Sequence, residues 1–312
     1  MAVTQPAPRR SRSTDEAVRV AGAGRVRVLT DADTSALTAL VDAHPVANAY
    51  LASLLHGGRL AGPRGGSGGT LFLGVGDPGS GPGDPLHQAA WVGSNVVPAA
   101  TDEPPAPELG AAVAALRRRF GSLYGPAAHV AAIEQRLREA GHRPRSLRAE
   151  QPLLVAGEPS ICRDDAVVPA VPSDYDAVLA ASVAMFTEEL GVSPLRAGAE
   201  AYRERVRRLV QLGRVLIDRV SEPSVVEPVR FKADLGVVSP ACVQIQGVWI
   251  PPHLRGQGRA APATASVVDA ARRLAPLVSL YVNAYNTAAL RSYLRAGFTR
   301  VGTFATVLYL SL

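Results

Sequence analysis

The hexapeptide Arg255-Gly256-Gln257-Gly258-Arg259-Ala260 lies between a predicted strand at 241–250 and a predicted Ala-rich helix at 261–274. A strand, a glycine-bearing loop and a helix start together form a geometry that holds phosphate. Glycine lets the backbone approach an anion closely, and the unpaired N–H groups of the first helical turn point towards it. On its own the hexapeptide also fits an ordinary turn between a strand and a helix. The neighbouring sequence is needed to distinguish this turn from a phosphate-binding loop.

The sequence that follows favours an anion site. Residues 278–283 predict a second buried strand, and a helix that begins near Asn286 carries Tyr293 two turns further along the same face. Gly297 ends this helix, and Phe298 starts the next strand. In this order of strand, R-x-x-G-x-A loop, helix, strand, Asn, Tyr and Gly-Phe, the chain resembles the GNAT superfamily of acetyl-CoA-dependent N-acetyltransferases.

The C-terminal half predicts the complete element order of that fold. We expect a strand at 167–171, helices from 173 to 191 and at 199–212, strands at 214–220, 229–238 and 241–250, a helix at 260–274, a strand at 277–283, a helix at 287–296 and a last strand near 303–310. The resemblance implies an α/β protein (an α+β mixed sheet) of tandem GNAT-like design, with a complete GNAT domain over residues 163–312.

The N-terminal half predicts a second unit at 26–158, after a polar, basic tail at 1–25 that we expect to be disordered. Helical spacing marks 28–60, strands are expected at 70–75 and 88–97, and a helix at 108–120. The glycine-rich stretch 62–69 leads into a strand and not into a helix. It therefore offers no helix N-terminus, and we interpret it as a hairpin loop.

The end of this first unit echoes the end of the chain. Residues 122–124, a helix to 139 and then Ala-Gly at 140–141 match residues 278–280, a helix and Ala-Gly at 296–297 at a constant offset. At that offset Val130 stands for Asn286, and Leu137 stands for Tyr293. We interpret the first unit as a degenerate GNAT-like copy that binds no coenzyme A. The whole chain then resembles actinobacterial acetyltransferase-like proteins, through the stretches 185–194, 231–236 and 244–250.

The resemblance implies a site for acetyl-CoA. The backbone of Val248, Trp249 and Ile250 is expected to pair with the pantetheine arm, with a backbone N–H polarising the thioester carbonyl. Residues Arg255, Gly256, Gln257, Gly258, Arg259 and Ala260 are expected to bind the pyrophosphate. Asn286 matches a residue that contacts the cofactor, and a helix N-cap is an equally good interpretation of it. Tyr293 matches the position of the general acid that protonates the leaving thiolate. A phenol suits this role because it is protonated at neutral pH.

Two features depart from the family pattern. Arg259 stands where a small or aliphatic residue is usual, and it either reaches a phosphate or crowds the loop. Many relatives place a carboxylate on the strand before the loop, where this chain has Gln244 and Gln246. The remaining candidates for a base are the carboxylates Glu188, Glu189 and Asp234, or water.

Composition limits the other classes of function. The net charge is +6 and the pI about 9.7, yet Lys232 is the single lysine among 33 basic residues, and the arginines are scattered. This pattern disfavours nucleic acid and suits a polyanionic cofactor. Cys162 and Cys242 are far apart and indicate neither a disulfide framework nor a metal site. The absence of a membrane span and of an apolar leader predicts a cytoplasmic protein.

Two functions therefore stay open. The first is an N-acetyltransferase that moves an acetyl group from acetyl-CoA to a primary amine, on a small molecule or a protein, without a metal. The second is an acyl-CoA-binding or interaction protein whose chemistry has decayed. Retention of the loop together with Asn286 and Tyr293 favours the enzyme.

Overall fold

The computed structural model describes residues 12–65, 69–158, 161–196, 199–220 and 229–309. The first half of the chain forms, in order, α1 (Arg12–Ala21), β1 (Val26–Val28), α2 (Thr34–Asp42), α3 (Ala49–His56), β2 (Leu71–Val75), β3 (Gln88–Val92), β4 (Asn95–Pro98), α4 (Pro107–Ala115), β5 (Ser122–Pro126), α5 (Ala127–Glu139) and β6 (Ser146–Ala156).

The second half continues with β7 (Val168–Pro169), α6 (Tyr175–Leu190), α7 (Ala199–Gln211), β8 (Val215–Arg219), β9 (Val229–Val238), β10 (Cys242–Trp249), α8 (Ala260–Arg272), β11 (Leu277–Tyr281), α9 (Thr287–Arg295) and β12 (Phe298–Leu308). A glycine with a positive φ follows the end of α6, α7 and α9. Gly191 follows α6 at a φ of 73°, a left-handed conformation that glycine adopts without steric cost.

The chain divides into two compact units. Unit 1 comprises Met1–Gln151 with Gly302–Ser311, and unit 2 comprises Pro152–Val301 with the last residue. Most of the last strand therefore counts with unit 1, although the sequence suggested a C-terminal domain that runs unbroken from 163 to 312.

The two units have the same strand pairing. In unit 1, three antiparallel pairs join β1, β2, β3 and β4, a parallel pair joins β4 to β5, and an antiparallel pair joins β5 to β12. In unit 2, the same succession joins β7, β8, β9, β10, β11 and β6. The helices follow the same plan, because two come after the first strand of each unit and one after each of the fourth and fifth strands. The internal repeat suggested by the sequence is thus present throughout both units.

Each unit is completed by a strand from the other half of the sequence. In unit 1, residues 304–308 of β12 pair with β5, from Phe304 opposite Pro126 to Leu308 opposite Ser122. In unit 2, residues 153–155 of β6 pair with β11. Since β6 follows α5 in the chain and β12 follows α9, the two repeats exchange their final strands.

The strands of each unit have apolar cores on both faces, which explains the alternation of side chains along these strands. In unit 2, Phe231, Ala233 and Leu235 of β9 face a core that contains residues of α8 and α9. The opposite core contains residues of α6 and α7. Lys232 and Asp234 alternate with the first set and therefore point to the α6–α7 face.

Several local expectations are wrong. Residues 12–21 form α1, whose Val18 is fully buried, so at least this part of the expected disordered tail is ordered, while residues 1–11 lie outside the described residues. The stretch 28–60 forms two helices after a short strand, and 88–97 forms the hairpin β3–β4. The helix expected at 108–120 ends at Ala115. In the glycine-rich stretch, by contrast, Arg64 and Thr70 exchange two backbone hydrogen bonds of 2.9 and 2.8 Å, as the expected hairpin requires, while residues 66–68 lie outside the described residues.

The exchanged strand makes a prediction about unit 1. Val307 is fully buried in its core and lies opposite Leu123 of β5. We expect Val307→Ala to destabilise unit 1 by about 1.5–3 kcal/mol, through lost transfer free energy and a cavity. The measurement is amide hydrogen exchange, which should accelerate at residues 122–126. Val301→Ala on the same strand, where Val301 is 53% exposed, is the control. Equal exchange at 122–126 in both variants would contradict the prediction.

Candidate active site

The site begins where two parallel strands part. β10 and β11 pair over three residues only, Cys242 with Leu277, Val243 with Val278 and Gln244 with Ser279. On its other edge β11 pairs with β6 from Ser279 to Tyr281, and beyond Gln244 the described part of β10 pairs only with β9. The edge of β10 from Ile245 to Trp249 is therefore open to an added strand-like ligand.

A β-bulge shapes this open edge. Gln246 lies opposite Asp234 and Trp249 lies opposite Lys232, so β10 uses three steps where β9 uses two. Gly247 occupies the bulge at a φ of 59°. A Cβ atom at Gly247 would lie 2.7 Å from Asp234 Oδ2 and 3.2 Å from Lys232 Nζ, so a side chain at this position would have to displace these two buried groups.

A buried ion pair lies beneath the bulge. Lys232 is fully buried, and its Nζ lies 2.7 Å from Asp234 Oδ2 and 3.5 Å from the carbonyl oxygen of Gly247. The other carboxylate oxygen, Asp234 Oδ1, is buried without a hydrogen-bond partner in the described part of the chain. A buried charge of this kind is costly unless it is paired, so the pair holds both side chains in place.

The glycine-bearing loop follows the bulge. Gly256 and Gly258 have φ angles of 76° and 78°, and no atom lies within 4 Å of a Cβ built at either. Within the described chain, none of the backbone N–H groups of residues 256–260 donates to a backbone carbonyl. Arg259 is the N-cap of α8 and supplies no side-chain cap. Free amides at an uncapped helix start, beside open space, are what an anion requires.

The two arginine side chains of the loop form hydrogen bonds with other groups of the protein. Arg255 donates to both carboxylate oxygens of Glu188, at 2.6 and 2.7 Å, and its Nε donates to the carbonyl of Ile250 at 2.8 Å. The hydrogen bond from Arg255 lowers the pKa of Glu188. Arg259 Nε donates to Gln257 Oε1 at 3.2 Å. Arg255 thus connects the loop to α6. Its ion pair also engages the carboxylate of Glu188, one of the candidate bases.

Tyr293 is buried on α9 in the core of the α8–α9 face, with its ring centroid 6.0 Å from that of Phe298. Burial and, to a smaller extent, the negative charge of Glu189 raise the pKa of Tyr293 above its usual value. Glu189 belongs to α6, so its charge reaches this hydroxyl from the other helix layer. A raised pKa keeps the phenol protonated over the whole neutral range.

Asn286 caps α9. Its Oδ1 accepts a hydrogen bond of 3.2 Å from the N–H of Ala289. The N-cap interpretation of this residue is therefore confirmed. The side chain is exposed, and the capping contact uses its oxygen and not its amide NH₂ group.

The α6–α7 face of unit 2 brings together polar side chains whose contacts the sequence did not predict, and Tyr202 among them was not predicted as a site residue. Tyr202 donates to the carbonyl of Ser182 at 3.0 Å, and burial, followed by the negative charge of Asp234, raises the pKa of Tyr202 to about 12. Gln246 Nε2 donates to Gln244 Oε1 at 3.2 Å. In the sequence, the signal for Lys232 is that it is the single lysine of an arginine-rich chain.

Solved structures share this architecture. An acetyltransferase of the GNAT family from Colwellia psychrerythraea aligns with a TM-score of 0.53 at 10% identity, over 92% of this chain and 100% of its own. A GCN5-related N-acetyltransferase from Sphaerobacter thermophilus aligns with a TM-score of 0.55 at 16% identity, over 92% and 96%. A Drosophila protein aligns with a TM-score of 0.58 at 12% identity, over 91% and 98%. The chain has the GNAT fold.

The sequence comparisons are narrower than this structural likeness. A family model described as a domain of unknown function (DUF4081) matches residues 79–178. No curated protein matches the chain. Across the described residues, no group of three or more His, Cys, Asp and Glu side chains is placed to hold a metal ion. None of the described helices is both long and apolar enough to cross a bilayer.

Unit 1 keeps the GNAT architecture with an altered site. Val130 and Leu137, which the sequence offset matches to Asn286 and Tyr293, are both buried in the core. The stretch from the end of β4 to the first residue of α4 has prolines at 98, 104, 105 and 107, which have no N–H to donate, and the acidic Asp102 and Glu103. The N–H of Ala106 already donates to Gln88 Oε1 at 2.9 Å. These features support the expectation that unit 1 binds no coenzyme A.

The bulge allows a matched test. Gly247→Ala places a Cβ against the Lys232–Asp234 pair, whereas Gly256→Ala has the same left-handed strain and open space around it. We expect Gly247→Ala to lower the free energy of unfolding by about 1–3 kcal/mol more than Gly256→Ala, because it adds overpacking to the strain. Denaturant unfolding of both variants measures the difference. Equal losses would show that the bulge tolerates a side chain.

Proposed function

We propose that the protein is an N-acetyltransferase that moves an acetyl group from acetyl-CoA to a primary amine by direct attack. The observation that carries the proposal is the loop at 256–260, whose unpaired amides and left-handed glycines lie at the end of the open edge of β10. Those amides would hold the pyrophosphate, and the edge formed by Val248, Trp249 and Ile250 would pair with the pantetheine arm.

The residues divide the chemistry between two faces of the sheet. The amine approaches from the α6–α7 side, where the negative charge of Glu189 attracts a cation and the side chains of Gln244 and Gln246 offer hydrogen bonds. Acetyl-CoA supplies the activated thioester. As the C–N bond forms and the C–S bond breaks, Tyr293 gives its proton to the sulfur, and the proton lost from nitrogen returns to the tyrosine through water.

Cys242 gives no support to a route through an acyl-enzyme. Its side chain is fully buried, and burial raises the pKa of the thiol, which suppresses the reactive thiolate. Its Sγ lies 3.4 Å from the hydroxyl of Ser279, inside the paired part of β10 and β11. Direct attack by the amine is therefore the simpler route.

The deciding experiment incubates the full chain with acetyl-CoA and a panel of primary amines, and follows release of the free thiol. We expect thiol release above the rate of spontaneous hydrolysis with at least one amine, and stronger turnover of cationic amines than of anionic ones because of Glu189. Coenzyme A binding without turnover of any amine would favour the decayed binding protein. Failure to bind coenzyme A would defeat both functions.

The loop assignment predicts the effect of one added charge. Gly258→Glu puts a carboxylate where the pyrophosphate would bind, and we expect it to abolish coenzyme A binding by steric block and repulsion. Isothermal titration measures the affinity. Gly79→Glu is the control, since Gly79 also has a left-handed φ and open space around its Cβ position but lies in unit 1. Wild-type affinity in Gly258→Glu would refute the loop assignment.

The acid assignment predicts a change in turnover alone. Tyr293→Phe keeps the ring that packs against Phe298 and removes the proton donor. We expect kcat to fall at least about tenfold while the affinity for coenzyme A stays nearly unchanged. Steady-state kinetics and titration separate the two effects. Tyr285→Phe is the control because Tyr285 is 74% exposed. Unchanged kcat in Tyr293→Phe would show that another group protonates the sulfur.

A further inference from the structure

Lys232 is the single lysine of this chain. All other 32 of the 33 basic residues are arginine, and Lys232 is fully buried on β9. Lysine and arginine are not interchangeable at a buried position, because an ammonium is a compact point charge and a guanidinium is a planar group with five donors. A chain that uses arginine everywhere else and one buried lysine here indicates that this position needs a compact cation.

The contacts of the ammonium group show what it acts on. Nζ lies 2.7 Å from Asp234 Oδ2, which anchors it, and 3.5 Å from the carbonyl oxygen of Gly247. The available space is small, since a Cβ at Gly247 would lie 3.2 Å from Nζ. The positive charge is thus fixed at the oxygen end of the peptide that joins Gly247 to Val248.

The cation near its carbonyl oxygen polarises this peptide, including the N–H at its other end. The carbonyl of Gly247 and the N–H of Val248 share one planar trans unit and point in opposite directions. A cation at the oxygen draws electron density towards it and makes the N–H more positive, and hydrogen-bonded groups polarise one another in this way inside a protein. The N–H of Val248 therefore points away from Lys232 and becomes a stronger donor.

We propose that the Lys232–Asp234 pair orients and polarises the Gly247–Val248 peptide, so that the Val248 N–H is the donor to the thioester carbonyl. The inference rests on the proposed function and deepens it. Lys232 is a positioning residue, because it acts through the peptide and touches neither substrate. Fixed donors aimed at a developing oxyanion commonly contribute a large part of a rate enhancement.

The test uses neutral replacements of the pair. Lys232→Met/Asp234→Leu and Lys232→Met/Asp234→Asn remove both charges together, because removing one partner of a buried pair leaves an uncompensated charge and destabilises the fold. The matched control is Arg230→Met/Asp218→Leu, which removes the ion pair of Arg230, also on β9, with Asp218 at 2.7 Å. Circular dichroism and thermal unfolding select the variants that fold.

The readout is the ¹³C resonance of acetyl-CoA labelled at the thioester carbonyl, which needs no acceptor amine. We expect a downfield shift on binding to the wild type and to the control, and loss of most of that shift in either neutral pair, with the affinity for acetyl-CoA within about threefold of wild type. With an amine from the panel, kcat should fall at least tenfold while KM for acetyl-CoA stays unchanged.

Three outcomes would overturn the proposal. A folded neutral pair that retains the full carbonyl shift shows a purely structural role. The same shift lost in the control pair shows a general effect of charge on β9. A wild-type protein that binds acetyl-CoA with the carbonyl at its free position shows no polarisation, and this measurement decides even when neither neutral pair folds. Failure of the wild type to bind acetyl-CoA at all defeats the proposed function instead.

Discussion

The candidate site depends on two neighbouring strands that stop pairing. β10 and β11 are parallel and paired as far as Gln244 and Ser279, and beyond that point their facing edges separate while each strand keeps the partner on its other edge. Backbone groups that lack a partner are costly when buried, so an open edge inside a sheet has to be served by solvent or by a ligand. The bulge at Gly247, the loop that follows it and the buried ion pair are all placed relative to this opening.

The two units repeat one arrangement of strands and helices, but among the described residues the glycine-bearing loop before a helix belongs to unit 2. Both units keep the same succession of strand pairs, which the apolar faces enforce. The constant sequence offset matches Val130 and Leu137 to Asn286 and Tyr293, and both are buried in the core of unit 1. Asn286 caps α9 whereas Val130 lies within α5, so the match does not extend to the start of the helix. The exchange of β6 and β12 has a further consequence: unit 1 cannot complete its sheet before residue 308 is present.

The three carboxylates near the opening, Glu188, Glu189 and Asp234, differ in their charged partners. Glu188 is engaged by Arg255 at the surface, where a pair of this kind contributes little to stability but sets the position of the loop. Asp234 is engaged by Lys232 in the interior, where each partner requires the other. Glu189 differs from both, since its charge affects the hydroxyls of Tyr202 and Tyr293 from α6. The three acidic residues that the sequence offered as equals therefore have three distinct environments.

The sequence by itself determined the GNAT order of elements, the loop at 255–260 and the repeat, because periodicity, glycines and helix ends are local properties of the chain. It missed α1, the hairpin at 88–98 and the exchange of final strands, since strand partners depend on contacts between distant residues. It also could not assign Arg255 to Glu188 or Lys232 to Asp234 and Gly247. Ion pairs and bulges are set by the register of neighbouring strands, and only the tertiary structure decides that register.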